Sequence, residues 1–164
     1  MNDNLIITER VQLEPISVKH NAFVLELLNT EEWLKFIGDR NVHSLEDAER
    51  YIQEIINNPD KDFWIVNYQH VPAGMVTLIK RNYLSNWDLG FAFLPSFSGS
   101  GLAAEASIAL INYHFKTIEQ KILHAVTLPS NTKSIKLLSR LGFYFEKEID
   151  REFLHIYTLH SNIK

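Results

Sequence analysis

The chain has 164 residues and a net charge of −4; 46% of its residues are hydrophobic, 12% are aromatic and none is cysteine. This composition predicts a single domain, residues 1–164, with one sizeable core, and it excludes disulfides, thiolate metal sites and a cysteine nucleophile. The charge argues against a nucleic-acid binder and mildly favours a cationic substrate, while the lack of a signal-peptide pattern or membrane-length apolar window predicts a cytoplasmic protein without membrane contact.

The first half of the chain predicts a strand, three helical segments and an antiparallel meander. Alternation around Val11 predicts the strand. Ser17 and Ser44 precede apolar residues at helical spacing, which predicts two capped helices with a short helical segment, 31–36, between them. The runs typical of strands are 64–68, 73–80 and 87–94, with turn residues at 69–70 and 85–86.

The second half predicts alternating helices and strands. A helix from residue 101 to about 116 is followed by a strand, 122–128, and by a second helix, 131–141. Because a helix connects strands 87–94 and 122–128, these strands are expected to be parallel neighbours. Runs 143–149 and 153–159 predict a closing antiparallel hairpin that turns around Asp150 and Arg151.

The stretch from Asp88 to Ala106, DLGFAFLPSFSGSGLAAEA, predicts a strand, a glycine turn and a helix. The first N–H groups of such a helix have no partner inside it, and the glycines let a phosphate approach the backbone. Residues 99–104 match G-x-G-x-x-A, but the dinucleotide fingerprint requires a preceding strand without a gap and an acidic residue after the next strand, and neither is present. A loop whose glycines only form a tight turn remains an alternative.

A second motif, PSNTKS at 129–134, ends in Leu-Gly-Phe at 141–143. Asn131 is predicted to cap the helix, Ser134 lies in its first turn, and Gly142 is its C′ glycine. Capping alone could explain all three residues. The seven histidines lack the spacing of a metal site, so no metal is expected.

Together these stretches resemble the GNAT superfamily of acetyl-coenzyme A dependent N-acetyltransferases, and within it the RimJ/RimL branch. ITERVQLEPI is similar to the opening strand of that branch, the glycine stretch to its E-I-G-Y-x-L-x-P-x-Y-W-G-K-G-Y-A-T-E-A, and PSNTKSIKLLSRLGF to its x-N-x-x-S-x-x-x-L-x-K-L-G-F. The turn departs from the pattern, because Ser96, Ser98 and Ser100 stand where the family often has Gln or Arg, Trp and Lys. A side-chain cation near the pyrophosphate is therefore missing.

The resemblance implies an α/β (α+β) fold with a mixed, mostly antiparallel seven-stranded sheet and helices on both faces. Its central parallel strand pair would splay apart beyond a bulge near 91–93. The implied cosubstrate is acetyl-coenzyme A, with no metal. The implied contacts are Phe93 and Leu94 for the pantetheine arm; Phe97, Ser98, Gly99, Ser100, Gly101, Leu102 and Ala103 for the pyrophosphate; and Asn131, Lys133 and Lys136 from the second motif.

Acetyl transfer requires a proton acceptor for the amine, a donor to the oxyanion and a group for the leaving thiolate. Asp88 matches the Glu before I-G-Y and is predicted to be the general base, directly or through a water; fixing the 84–87 turn is the alternative role. Ser134 is predicted to protonate or hydrogen-bond the thiolate, because Leu138 occupies the position of the tyrosine that many GNAT enzymes use.

The acceptor is predicted to be a protein or peptide N-terminal amine, with a polyamine or an antibiotic as the alternative. A coenzyme A-binding module without turnover is a hypothesis of a different class. Trp33, Phe36 and Trp87 are predicted to line the acceptor cleft, with core packing as the alternative. Monomer and homodimer both remain open.

Overall fold

The computed structural model of the chain describes residues 4–149 and 153–162. Its strands are β1 (Ile6–Ile7), β2 (Val11–Pro15), β3 (Lys61–Tyr68), β4 (Val71–Ile79), β5 (Asp88–Phe93), β6 (Ile122–Thr127), β7 (Tyr144–Ile149) and β8 (Leu154–His160). Its helices are α1 (Asn21–Leu28), α2 (Glu31–Phe36), α3 (Leu45–Ile56), α4 (Leu102–Thr117) and α5 (Thr132–Arg140). The helix predicted from Ser17 begins as a 3₁₀ turn, Val18–His20, before α1.

The eight strands form one sheet in the order β1-β2-β3-β4-β5-β6-β8-β7. Every neighbouring pair is antiparallel except β5 and β6, which are parallel as predicted. The eighth strand is β1, which pairs with β2 and is too short for alternation to reveal it. The closing hairpin is present as β7 and β8, but its predicted turn at Asp150 and Arg151 lies outside the described residues.

Side-chain alternation along the strands builds two cores, one on each face of the sheet. On one face Trp64 packs with Leu110 of α4 and with the neighbouring strands. On the other face Phe63 and Ile65 pack with residues of α1, α2 and α3, among them Ile52. Among the described residues, this second core contains no side chain from β6, β7 or β8. On this face, the half of the sheet formed by these three strands is therefore not part of the apolar core.

The parallel strands β5 and β6 stay paired only at their beginning. Asp88 is the register partner of His124, and the His124 N–H donates to the Trp87 carbonyl at 2.9 Å. Beyond this point the strands form a V that is closed at the Asp88–His124 pair, the vertex, and opens toward Phe93. The β4–β5 register runs without a shift, so the predicted bulge near 91–93 is absent and the V opens without one.

None of the helices in residues 4–149 and 153–162 combines the length and apolar character needed to cross a membrane.

Candidate active site

The glycine turn after β5 ends in an open helix N-terminus. Gly99 and Gly101 have φ values of +78° and +80°, a region in which residues with a Cβ are strained. Gly101 is the N-cap of α4 and supplies no side-chain hydrogen bond, so the first N–H groups of a 16-residue helix face outward uncapped. A Cβ on Gly99 would meet nothing within 4 Å. The turn of residues 97–103 and the uncapped N–H groups of α4 form a cradle that fits a phosphate group, as the sequence predicts.

A cation lies beside the turn, although the sequence motif lacks one. Arg10, at the start of β2, donates from Nη1 to the Ser100 carbonyl at 2.8 Å, and its Nη2 would lie 3.2 Å from a Cβ on Gly101. Sequence reasoning missed Arg10 because 90 residues separate it from Ser100 and no motif connects them. The guanidinium therefore lies at the place where Ser96, Ser98 and Ser100 supply no cation, and it forms an ion pair there with Glu105.

Glu105, in the first turn of α4, is bound by this arginine. Its carboxylate accepts hydrogen bonds from Arg10 Nε at 2.7 Å and from the Thr8 hydroxyl at 2.6 Å. Burial opposes its ionisation, but these hydrogen bonds outweigh burial and lower the pKa of Glu105. Its negative charge is therefore balanced by Arg10 and does not oppose an anion at the turn.

Backbone alternation decides which residues of β5 can bind a ligand inside the V. Because the Trp87 carbonyl points to β6, the backbone groups of Phe91 and Phe93 also point into the V. Leu94 does not fit its predicted role: its N–H donates to the Ala73 carbonyl at 2.9 Å and its carbonyl accepts from Phe97. The pantetheine contact predicted for Leu94 is thus excluded by the pairing of this residue with β4.

Asp88 lies at the vertex and joins the two diverging strands. Its Oδ1 accepts the Val126 N–H of β6 at 3.1 Å, and its Oδ2 accepts from Arg81 Nε at 2.6 Å. The residue is only 3% exposed. Burial raises the pKa of Asp88 to about 6, although Arg81 and the Val126 N–H favour the charged form. The carboxylate is therefore ionised at neutral pH and can accept a proton in the pH range where its pKa lies.

Small residues follow Asp88 on the same face of β5. The next residues of β5 on the same face are Gly90 and Ala92, which have little or no side chain. A Cβ on Gly90 would lie only 2.6 Å from Thr77 Oγ1, so a larger residue would not fit without movement. The Thr77 side chain of β4 thus occupies the space over Gly90, next to Asp88.

The second motif lies against the glycine turn. Asn131 accepts the Ser134 N–H at 3.3 Å, which confirms the predicted cap of α5. Lys133 donates to Ser98 at 3.0 Å and to Glu32 of α2 at 3.1 Å, so it links the turn to the helix across the V. Ser134 is half-buried in the first turn of α5, whereas Lys136 is exposed on this helix.

The three predicted acceptor aromatics do not line one cleft. Trp33 belongs to the core beneath α1–α3 and donates from Nε1 to the Gly38 carbonyl at 3.1 Å. Trp87 belongs to the core on the opposite face, where Lys80 lies 4.9 Å from its ring centroid. The prediction fails for Trp33 and Trp87 because they lie on opposite faces of the sheet. Trp87 also directly precedes Asp88, so the side chains of Trp87 and Asp88 point to opposite faces. Phe36 is half-buried near the surface of α2.

A groove of about 530 Å³ lies elsewhere, between residues 4–8 and α4. It is at the β1 edge of the sheet, with β2, β3 and β4 between it and the V, and it lacks the glycine cradle. Within residues 4–149 and 153–162, no three His, Asp or Glu side chains are grouped closely enough to hold a metal ion. The V and the adjoining turn are therefore the candidate active site.

The family model of the acetyltransferase (GNAT) domain matches residues 10–144. The chain belongs to the GNAT family. A relative named uncharacterized N-acetyltransferase YnaD, from Bacillus subtilis (strain 168), is 24% identical over 89% of this chain and 88% of its own. The spermidine N(1)-acetyltransferase of Escherichia coli (strain K12) is 22% identical over 87% of this chain and 77% of its own.

Solved structures of this family have the same fold. The structure of RimL, a ribosomal L7/L12 alpha-N-protein acetyltransferase in complex with coenzyme A, has a TM-score of 0.87 at 16% identity and covers 98% of this chain and 100% of its own. A Vibrio cholerae spermidine N-acetyltransferase in complex with coenzyme A and spermine has a TM-score of 0.81 at 18% identity, with coverages of 94% and 97%.

The protein is thus an acetyl-coenzyme A dependent N-acetyltransferase whose acceptor is an amine. The coenzyme fits the chain's own residues, because an uncapped helix, two glycines in the left-handed region and Arg10 surround one turn beside the V. When bound, the coenzyme supplies the acetyl thioester. The residues that would hold it are those of the cradle and the backbone of the V, and the expected proton acceptor, Asp88, lies at the vertex.

Proposed function

We propose that the acceptor is the α-amino group of a protein or peptide N-terminus. The observation that carries this proposal is that two carboxylates beside the V already have cations of their own. Asp88 is bound by Arg81 and Glu32 is bound by Lys133. A polyamine carries several positive charges and needs surplus carboxylates to bind them, whereas a peptide carries one amine at its N-terminus.

The surface of α2 supports the same acceptor. Leu34 and Ile37 are exposed, and Phe36 is half-buried beside them. Because Glu32 of this helix reaches Lys133, α2 borders the V on the side of α5. An apolar surface next to the reacting amine suits the side chains of a peptide better than the flexible methylene chain of a polyamine flanked by charges.

A small polyamine is the second candidate, since two relatives are named spermidine acetyltransferases or bind spermine, and the chain has a net charge of −4. The deciding measurement is kcat/KM with acetyl-coenzyme A and three acceptors: an alanine- or serine-initiated peptide, the same peptide with a blocked N-terminus, and spermidine. We expect the peptide with the free α-amine to exceed spermidine at least tenfold. Preference for spermidine, or equal use of the blocked peptide, would contradict the proposal.

For the chemistry, we propose Asp88 as the general base, directly or through a water, and Ser134 as the group that protonates or hydrogen-bonds the leaving thiolate. The carboxylate lies where β5 and β6 diverge and accepts the Val126 N–H of β6, which suits contact with an amine or a water inside the V. The pKa of about 6 gives kcat/KM an acidic limb that falls as the pH drops below 6.

Asp88→Asn tests this role, because the amide can still accept the Val126 N–H but cannot take a proton. We expect kcat at least tenfold below that of the wild type, loss of the acidic limb and an unchanged coenzyme affinity. The matched control is Asp62→Asn, a carboxylate of β3 whose pKa is raised by burial but which lies two strands from β5. Full kcat with an unchanged pH profile in Asp88→Asn would remove the assignment.

A further inference from the structure

The ladder of hydrogen bonds between the parallel strands β5 and β6 ends after its first step. Asp88 is the register partner of His124, whose N–H donates to the Trp87 carbonyl at 2.9 Å. Backbone groups on one side of a strand alternate, so the next N–H of β6, that of Val126, would donate to the Leu89 carbonyl. In the described parts of both strands no register pair follows Asp88–His124, so this next step is not made.

A side chain takes the place of the missing step. Asp88 Oδ1 accepts the Val126 N–H at 3.1 Å, while Asp88 Oδ2 accepts from Arg81 Nε at 2.6 Å. The carboxylate therefore competes with the carbonyl of the following residue, Leu89, for a single donor. Asp88 is buried and its bond to Arg81 restrains it, so the carboxylate oxygen stays at the vertex.

The neighbouring strands give no other reason for the divergence of β5 and β6. The register of β5 with β4 and that of β6 with β8 both run without a shift, so neither strand is bent by a bulge. A buried N–H must keep a hydrogen-bond partner, so two strands can separate only where the first donor they release finds another acceptor. The Asp88 carboxylate is that acceptor.

We propose that the Asp88 carboxylate holds β5 and β6 apart and so creates the binding site for the pantetheine arm of the coenzyme. In the described strands, the first backbone groups left without a partner across the V are the Leu89 carbonyl and the Phe91 N–H, both on β5. The first N–H of β6 beyond the vertex, that of Val126, is already bonded. The arm therefore forms its hydrogen bonds near the vertex with β5.

This is a positioning role of Asp88, separate from its proposed role as general base. It rests on the coenzyme binding inside the V, and it depends neither on the identity of the acceptor amine nor on proton transfer. The two roles can be separated by substitution, because the base needs a group that takes a proton, whereas strand separation needs only an oxygen that accepts the Val126 N–H.

The first test is a ligand-free measurement on Asp88→Leu, which fills a similar space, excludes water and offers no acceptor. The Val126 N–H should then donate to the Leu89 carbonyl, and NMR should detect a scalar coupling across this hydrogen bond that the wild type lacks. Asp88→Asn should also lack it, because the amide oxygen can still accept the Val126 N–H. Arg81, with a side chain that is 36% exposed, can be hydrated in that variant.

The second test compares two probes by isothermal titration: acetyl-coenzyme A, and 3′-phosphoadenosine 5′-diphosphate, which has no pantetheine arm. In Asp88→Leu we expect the Kd of acetyl-coenzyme A to rise about tenfold, because paired strands no longer offer their backbone groups to the arm. The Kd of the nucleotide should stay the same, and Asp88→Asn should keep both values. The control, Asp62→Leu, makes the same substitution on β3, two strands from β5, and should change neither Kd.

A missing coupling in Asp88→Leu, or a coupling with an unchanged Kd of acetyl-coenzyme A, would overturn the proposal. If Asp88→Leu does not fold, Asp88→Ala gives the same two measurements. A wild type that bound the nucleotide as tightly as acetyl-coenzyme A would overturn the role of the V in binding the arm, and the coupling would still decide whether Asp88 separates the strands. Neither measurement includes an amine, so an error in the proposed acceptor or general base leaves both unaffected.

Discussion

The two helices that begin beside the V, α4 and α5, differ in how their N-termini are capped. At α5 the side chain of Asn131 accepts the Ser134 N–H, so a residue of the chain itself caps this helix, and we call its N-terminus closed. At α4 the N-cap is Gly101, which has no side chain to offer and a φ of +80°. The N–H groups at the start of α4 are therefore open to water or to an anion, whereas the cap of α5 is supplied by the chain itself. We propose that the N-terminus of α4 binds the coenzyme and that the N-terminus of α5 positions the Ser134 hydroxyl.

The largest effect is expected from a substitution that blocks the uncapped N-terminus of α4. Acetyl-coenzyme A at a hundredfold excess over its Kd should stabilise the wild type by roughly 2.7 kcal/mol. Gly101→Val should abolish this shift in thermal unfolding, because a branched side chain would occupy the cradle. Gly142→Val is the control, since Gly142 also has a positive φ, +93°, but follows the C-terminal end of α5.

Both glycine variants should lose folding stability, because valine is strained at a positive φ. Only Gly101→Val should lose the coenzyme effect. If Gly101→Val does not fold, Gly99→Ala is the substitute, since its Cβ would meet nothing within 4 Å of the protein itself. A normal thermal shift in these variants would mean that the glycines only form a turn, and the contrast between α4 and α5 would have no functional meaning.

The second effect concerns the hydroxyl that the closed N-terminus positions. Ser134→Ala should lower kcat at least tenfold, because the thiolate loses its proton donor, while the Kd of acetyl-coenzyme A stays the same. The Ser134 N–H and its bond to Asn131 remain in the variant. Ser139→Ala, on the exposed side of the same helix, is the control and should keep full activity. Equal kcat values in both variants would leave Ser134 with a helical role only.

The third effect is on stability alone. Asn131→Ala removes the cap of α5 and should lower the free energy of unfolding by about 1 kcal/mol, whereas Asn131→Ser should keep most of it. The sequence predicted Asn131 as a coenzyme contact, but its side-chain oxygen is used by the helix. We therefore expect the thermal shift with acetyl-coenzyme A to persist in Asn131→Ala. Loss of that shift would show that the N-terminus of α5 also binds the coenzyme.

The parts of the site that sequence could predict are local in the chain. The cradle lies in consecutive residues, 97–103, and the cap of α5 spans three positions, so a motif contains all of the information. The helices and strands could be predicted for the same reason, since alternation and helical spacing are short-range patterns, whereas the arrangement of the sheet and its helices was implied by the resemblance to the GNAT superfamily. Among the strands of the described residues, β1, with two residues, was too short to be detected.

The remaining parts depend on contacts between distant segments. Arg10, which directly precedes β2, reaches Ser100 in the glycine turn, and Asp88 meets the Val126 N–H only because β5 and β6 are neighbours. No spacing within the sequence encodes these contacts. The assignment of Trp87 is a different case, because strand alternation already separates it from Asp88 and a stricter use of that pattern would have excluded a shared cleft.

The smallest effect is expected where the two helix N-termini are connected. Lys133, the second residue of α5, donates to Ser98 in the glycine turn and to Glu32 on α2. The ammonium is therefore near the turn where we propose that the coenzyme phosphates bind. Its side chain is 67% exposed and also binds a carboxylate, and both features weaken its attraction for an anion. Exposed ion pairs contribute up to about 1 kcal/mol, which corresponds to an increase of at most about fivefold in the Kd of acetyl-coenzyme A.

Lys133→Ala should accordingly raise this Kd by about two- to fivefold in dilute buffer, and the difference should shrink as salt is added, because salt screens exposed charges. Lys136→Ala removes the same charge one turn further along α5, where the side chain is exposed, and should leave the Kd unchanged. Isothermal titration of both variants at two salt concentrations measures this contrast. An equal rise in both variants would mean that α5 acts through its overall charge, and a rise above tenfold in Lys133→Ala would mean that the closed helix binds the phosphates almost as directly as the open one.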